Sequence, residues 1–318
     1  MRKAHKVIVE GQEQSMVKIK KIIKWAKDEG YQFEFHGDEG IQISGFSSLR
    51  KYQKDTLTWI NLKNSVKVGD EDRIKCAVIQ KGGNVFPENY FYTENSKKLF
   101  FEILKHFFTS NSQEMAELSG TYIGKDVILG ENVKIGCNCV LDGQIKVGDR
   151  TVIEHNTVLM NRVTVGSDCI IHSGTVIGQD GFGFSFDENN LPVKVPHFGG
   201  VVIGERVEIG ANVTVHRGTI DDTVIRDDVK IDSLVIVAHN AIIGSGTLLV
   251  GGVAIGGSCT IGDKSYIAPH ATIKNKISIG DNSFIGMGVI TKKNMEDNIF
   301  IGHPDDKPRK NKDYRRFL

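Results

Sequence analysis

The sequence lacks the features that mark several common protein classes. Its 318 residues include only 6 prolines and 2 tryptophans, which excludes a proline-rich, low-complexity chain. The five cysteines are an odd number with no CxxC pair, which argues against a disulfide framework and against a structural zinc site. Charge of one sign is missing too. Forty basic against 39 acidic residues leave +1, so the whole-chain balance makes no case for nucleic acid or a membrane. No apolar run approaches a membrane span, and the opening MRKAHKVIVEGQEQ holds no apolar stretch of signal-peptide length. A cytoplasmic location is expected.

What the chain does have is glycine, 35 residues of it, and a period. From Ile123 through Leu129, Ile135 and Leu141, every sixth residue is aliphatic as far as Ile177. The step resumes at Ile203, slips by four residues after Val215, and runs on from Ile225 to Ile285. A second register, four residues after each aliphatic one, is small or β-branched, as at Val127, Thr151, Thr175, Val213 and Thr247. Cys139, Cys169 and Cys259 fall in that register, so they read as buried core residues rather than nucleophiles or metal ligands. Neither a helix nor a plain strand gives a six-residue period, whereas a parallel β-helix of hexapeptides does. Three hexapeptides close a triangular coil, which predicts about eight coils of 18 residues.

Before the repeat, residues 16–27 and 97–108 have helical apolar spacing, and Ile41–Ile43 and Cys76–Ile79 read as short strands. The expected organisation is a mainly β chain. A small α/β domain covers residues 1–110 and a linker 111–120; a β-helix follows at 121–302, with an inserted loop at 179–202, and a short tail at 303–318.

The stretch IVAHNAIIG, Ile236 to Gly244, interrupts the apolar rhythm with His239. Counted from the inward Val237, His239 falls near a corner and off the packed core, where it would face a cleft. An imidazole there is a candidate general base, because its ordinary pKa lies near neutral pH. The 18-residue coil places residue 257 beside His239, and it is Gly257, whose bare backbone offers an N–H to a close substrate.

The segments GQDGFGF, VEIGANVTVHRGTIDDTVI and IDSLVIVAHN, with GFSSLRKYQKDTLTWI, CAVIQ and YTENSKKLFFEILKHFF before them, are similar to the hexapeptide-repeat acyltransferases. Within that family they resemble the UDP-3-O-acylglucosamine N-acyltransferases and related nucleotide-sugar N-acyltransferases, over about residues 15 to 290. The resemblance implies a left-handed coil and a homotrimer with active sites between subunits. It also implies acyl transfer from a thioester, acyl-CoA or an acyl carrier protein, to the amino group of a UDP- or dTDP-linked sugar, with no bound cofactor. By the same resemblance His239 is the base, Gly257 the oxyanion donor, and Asp232 the carboxylate that orients the histidine. Asp232 reads equally well as a corner turn residue. Gln179, Asp180, Phe182 and Phe184 of the inserted loop, with Asn240 and Lys276, are candidate substrate contacts; a flap whose aromatic rings pack on themselves is the other reading of the loop. Trp59 is either the ring stacked on the nucleotide base or a core residue of the small domain.

Departures from the resemblance bear on the substrate. Ser233 stands where the family has Asn, Val215-His216 where it has Ile-Asp, Lys276 where it has a second histidine, and a base-sandwiching Tyr would fall near Ser65. The tail with its basic run, Lys307 to Arg316, resembles the short endings of acyl-CoA-dependent sugar acyltransferases. These departures favour an acyl-CoA enzyme of nucleotide-linked deoxysugars for surface glycans, with the acyl-carrier-protein enzyme of lipid A synthesis second. A structural solenoid would not need the insertion or the AHN motif. A zinc site at His155 and His172 lacks a third ligand at suitable spacing. About 115 residues without a Gly-rich phosphate loop cannot make a nucleotidyltransferase domain.

Overall fold

The structure, a computed structural model, describes residues 16–49, 52–62, 73–83, 85–108, 120–303 and 309–310. The chain divides into two compact units, Met1–Gln113 and Glu114–Leu318. The expected linker, apart from Gly120, Ser65, and most of the basic run from Lys307 to Arg316 lie outside the described residues.

The first unit is built on a five-stranded sheet in the order Glu34–His36, Tyr90–Thr93, Cys76–Gln80, Thr56–Ile60, Gly45–Phe46. Only the edge strand Glu34–His36 runs antiparallel to its neighbour. Helix α1 (Ile19–Asp28) buries Ile19, Ile22, Ile23 and Ala26, the stripe its spacing dictates. It starts three residues later than the spacing predicts, because Val17–Lys18 pairs antiparallel with Gln42–Ile43 and thereby buries Val17. Helix α2 (Ser96–Phe107) is capped by Asn95, whose side chain accepts from the Lys98 N–H at 3.2 Å.

The second unit is a left-handed parallel β-helix. One face carries nine parallel strands, from Lys134–Ile135 to Ile299–Ile301, one per coil. Partners step by 18 residues, as in Val152 to Ile170 and Ile242 to Thr260. Ile170 pairs with Glu208, a step of 38, so the inserted loop adds 20 residues to the coil. Glu208 pairs with Lys230, a step of 22, which is the four-residue slip. A further irregularity has no sequence expectation: Ile285 pairs with Ile301, 16 residues on, so the last coil is two residues short. The aliphatic register points inward and is buried from Ile135 to Ile285; each such side chain contributes roughly 1.5–3 kcal/mol. Within this register only Ile123 and Leu129, in the first coil, are exposed, each 38%.

Two further registers explain the rest of the hexapeptide. Three residues after most of the aliphatic ones the backbone enters the left-handed region, as at Asn138, Asn156, Asn212 and Asn240 with φ of 56°, 58°, 55° and 59°. Asn, Asp and Gly recur there because they tolerate that conformation best. The small register must satisfy corner backbone groups from inside the coil. The Thr247 hydroxyl donates to the Gly262 carbonyl at 2.7 Å and accepts from the Ser265 N–H at 3.0 Å. Cys259 does the same with its thiol, at 3.0 Å from the Lys274 carbonyl. Burial raises the pKa of the Cys139, Cys169 and Cys259 thiols and pushes Cys76 up to about 12.

Candidate active site

Val237 and Ile255 pair in register, so the next two residues of each coil carry His239 and Gly257 onto neighbouring corners. A Cβ on Gly257 would lie 2.7 Å from His239 Nε2 and 2.8 Å from its Cε1, so only glycine leaves room for the imidazole. The Ser258 N–H donates to the His239 carbonyl at 2.9 Å, which locks the two corners together.

Asn240 fixes the ring. Its side-chain N–H donates to the Asp221 carbonyl at 2.8 Å, and its Oδ1 accepts from the Thr219 N–H at 3.1 Å. With the amide thus oriented, Oδ1 faces His239 Nδ1 at 3.0 Å and accepts its proton. The Nε2 lone pair is left bare beside Gly257. Nε2 is therefore the basic nitrogen.

Asp232 is not the partner of this histidine within the chain. Its carboxylate accepts from the Ser233 N–H at 2.7 Å and the Gly251 N–H at 3.0 Å, as a corner turn residue does. Seven positions separate residues 232 and 239, slightly more than one hexapeptide, so they occupy successive corners of one coil. Asp232 lines a groove of about 710 Å³ on the nine-strand face, with Glu154, His172, Glu208, Lys230 and Tyr266. In that groove His172 is held between Glu154 at 3.1 Å and Glu208 at 3.2 Å. Burial pulls its pKa down, but the bonds to Glu208 and Glu154 together outweigh it and the net shift is upward. His155 is engaged elsewhere, its Nδ1 accepting from the Cys137 N–H at 2.9 Å, and no metal-holding cluster occurs among the described residues.

The inserted loop folds against His239. Its outer part is a hairpin, Phe184–Phe186 with Pro192–Lys194. Gln179 and Asp180 extend the strand before it and pair with His216 and Arg217. Asp180 stands among cations, 4.0 Å from both Lys194 and Arg217. Arg217 also donates to the Gly199 carbonyl at 2.6 Å. Gly181 packs on the far edge of His239, where a Cβ would lie 2.9 Å from Cδ2. Phe182 and Phe184 pack on each other at 4.9 Å and remain 86% and 42% exposed. Lys276 is exposed on the corner beyond Gly257, its N–H donating to the Gly257 carbonyl at 2.9 Å. A shallow groove of about 500 Å³ starts beside Gly257 at Gly256 and runs past Ala254 and Thr272 to Lys274 and Lys292.

Two histidines that the sequence did not place among the site residues stand beside His239. His197, from the loop, is buried with its ring perpendicular to that of His239, centroids 5.6 Å apart. His216 is half-buried, and burial, then His239, His197 and Lys194, hold its pKa below the usual histidine value. In the first unit, Trp59 is half-buried at the edge of the core: its indole N–H donates to Ser96 Oγ at 2.8 Å and its ring packs on Phe100 and Phe101.

The family model described as bacterial transferase hexapeptide (six repeats) matches residues 144–179. A second, the hexapeptide repeat of succinyl-transferase, matches 126–160, 200–233 and 271–291. A probable UDP-3-O-acylglucosamine N-acyltransferase 2, mitochondrial, of Arabidopsis thaliana is 45% identical over 137 residues, 41% of this chain and 43% of that protein. A UDP-3-O-acylglucosamine N-acyltransferase of Coxiella burnetii is 44% identical over 128 residues, 40% of this chain and 37% of that protein. The chain thus spans about two fifths of the length of these curated relatives. Among solved structures, the Francisella novicida UDP-N-acetylglucosamine acyltransferase superposes with a TM-score of 0.56 at 21% identity, over 62% of this chain and 70% of that one. That likeness is one of fold. No described helix is long and apolar enough to cross a membrane. The six-residue period and the coil it builds agree with the two family models, whose hexapeptide transferase repeats match this chain over residues 126–179, 200–233 and 271–291.

Proposed function

We propose that the protein transfers an acyl group from a thioester to the amino group of a UDP-linked glucosamine derivative. The observation that carries this is the pairing of His239 Nε2, bare and oriented by Asn240, with Gly257 on the next coil. The amine nitrogen attacks the thioester carbonyl while His239 Nε2 takes one of its protons, and the Gly257 N–H donates to the oxyanion. Collapse expels the thiolate, which takes up a proton, and leaves the amide; no covalent acyl-enzyme is required.

The names of the relatives favour the UDP-linked acceptor over a dTDP-linked deoxysugar, which reverses the order given by the departures in sequence. For the donor, both acyl carrier protein and acyl-CoA fit a thioester mechanism; acyl carrier protein is the donor that goes with a UDP-3-O-acylglucosamine acceptor in the family resemblance. A homotrimer in the cytoplasm, with sites completed between subunits, is the assembly that goes with this reading.

Calorimetry with UDP and dTDP, followed by turnover of UDP-3-O-acylglucosamine with each donor, tests it. UDP preference and transfer from acyl carrier protein are expected. Preference for dTDP would return the deoxysugar reading to first place, and turnover by a His239→Ala variant at the wild-type rate would remove the mechanism.

A further inference from the structure

The inserted loop supplies an imidazole for which the reaction above has no use. The His197 side chain is fully buried, and its Nδ1 lies 3.0 Å from the Val195 carbonyl. A carbonyl only accepts, so Nδ1 carries the proton and Nε2 is a bare acceptor. That Nε2 is buried and has no hydrogen-bond partner in the chain. Leaving a buried acceptor unpaired costs about 1–3 kcal/mol, and such atoms in native proteins need an explanation.

The explanation is not a bound ligand, because the atom is closed off from solvent on every side. What it does face is the neighbourhood of His239. The position that a Cβ on Gly181 would occupy lies 3.3 Å from His197 Nε2 and 2.9 Å from His239 Cδ2. The absence of a side chain at Gly181 is what lets the two rings converge. They meet at 85°, with centroids 5.6 Å apart. His197 thus presents the negative end of its ring dipole toward a ring that becomes cationic during the reaction. In a water-excluded setting such a fixed dipole acts strongly, and only when the charge appears.

We infer that His197 is a positioning residue whose buried, bare Nε2 stabilises the positive charge that develops on His239 as it takes the proton from the amine. The inference rests on His239 being the base. Lys194, whose ammonium donates to the Gly181 carbonyl at 2.7 Å, and Arg217 bring positive charge to the same loop, which an oriented lone pair helps to offset.

The test is a panel of His197→Leu, His197→Gln and His239→Ala, with turnover of UDP-3-O-acylglucosamine and thermal midpoint measured on each. Leucine fills the space and removes the unpaired acceptor. The expected result is an unchanged or higher midpoint with kcat lower by about tenfold and KM unchanged. Glutamine restores an acceptor and recovers kcat. Wild-type kcat in His197→Leu overturns the inference, as does a joint fall of midpoint and kcat, which would mark a merely structural residue. Persistent turnover in His239→Ala would instead remove the reading beneath it. The substrate-free imidazole ¹⁵N spectrum reads the tautomer independently: an Nδ1–H form for His197 is expected, and an Nε2–H form overturns the proposal.

Discussion

Gly257 and His239 sit one coil apart, and a single methyl group on the glycine would reach to 2.7 Å from the imidazole Nε2. The backbone there is fully occupied by the histidine. Gly257→Ala must displace the ring from its bond with Asn240, and kcat should fall by about 10²-fold or more, the loss typical of a missing base or oxyanion donor. Circular dichroism and the thermal midpoint should stay near wild type, because the displaced ring is at the rim of the coil and not in its core.

Asn240 holds two jobs that substitution can separate. Its backbone is left-handed at φ 59°, and its amide orients His239 while tying Thr219 to Asp221. Asn240→Gly keeps the backbone without strain and loses the amide, so activity should fall further than stability. Asn240→Ala should lose about 1–2 kcal/mol more than the glycine variant, from the left-handed penalty alone. Urea midpoints of the two variants measure that difference; equal midpoints would contradict the corner assignment.

The Glu154–His172–Glu208 ladder predicts a pH dependence of stability. The folded pKa of His172 is raised, so its contribution is complete below the unfolded value near 6.5 and is lost as pH rises through the folded one. The thermal midpoint of wild type should exceed that of His172→Gln at acidic pH, and the gap should close above neutrality. A gap that widens with pH would reverse the sign and exclude the ladder as the cause.

Thiol accessibility gives a direct check of the coil interior. Four of the five cysteines, Cys76, Cys139, Cys169 and Cys259, are buried, and Cys137 is half-exposed at a corner. A maleimide reagent under native conditions should label Cys137 alone, read by peptide mass spectrometry, with the other four reacting only after denaturation. Rapid native labelling of Cys169 or Cys259 would mean that the small register does not face inward.

The period was legible because a closed coil has one interior, and every sixth residue has nowhere else to go. Gly257 followed from the same arithmetic, as its place beside His239 needs only the 18-residue step. Asp232 did not, because a motif says which residues accompany one another and not which corner each one occupies. Asn240, two corners' worth of hydrogen bonds in one amide, takes the orienting role within the chain. His197 and Gly181 lie in the insertion, where no repeat constrains position and the contact with His239 depends on how the loop folds back. Trp59 shows a related limit: one aromatic residue reads alike as platform or as core, and the half-buried ring packed on Phe100 beside Ser96 fits either.

At its last coil the stack changes direction. Every sheet partner from Lys134–Ile135 to Ile299–Ile301 on the nine-strand face is parallel, but Arg309–Lys310 pairs with Ile299–Ile301 antiparallel. A column of identical parallel rungs is an open template, able to add another molecule's first rung end to end and grow into a fibre. A strand of reversed polarity laid across the terminal rung occupies that template with a hydrogen-bond pattern that an incoming parallel coil does not match. A parallel coil approaching that end therefore meets a strand of the wrong polarity, so the repeat finishes on an edge unlike any of its own rungs.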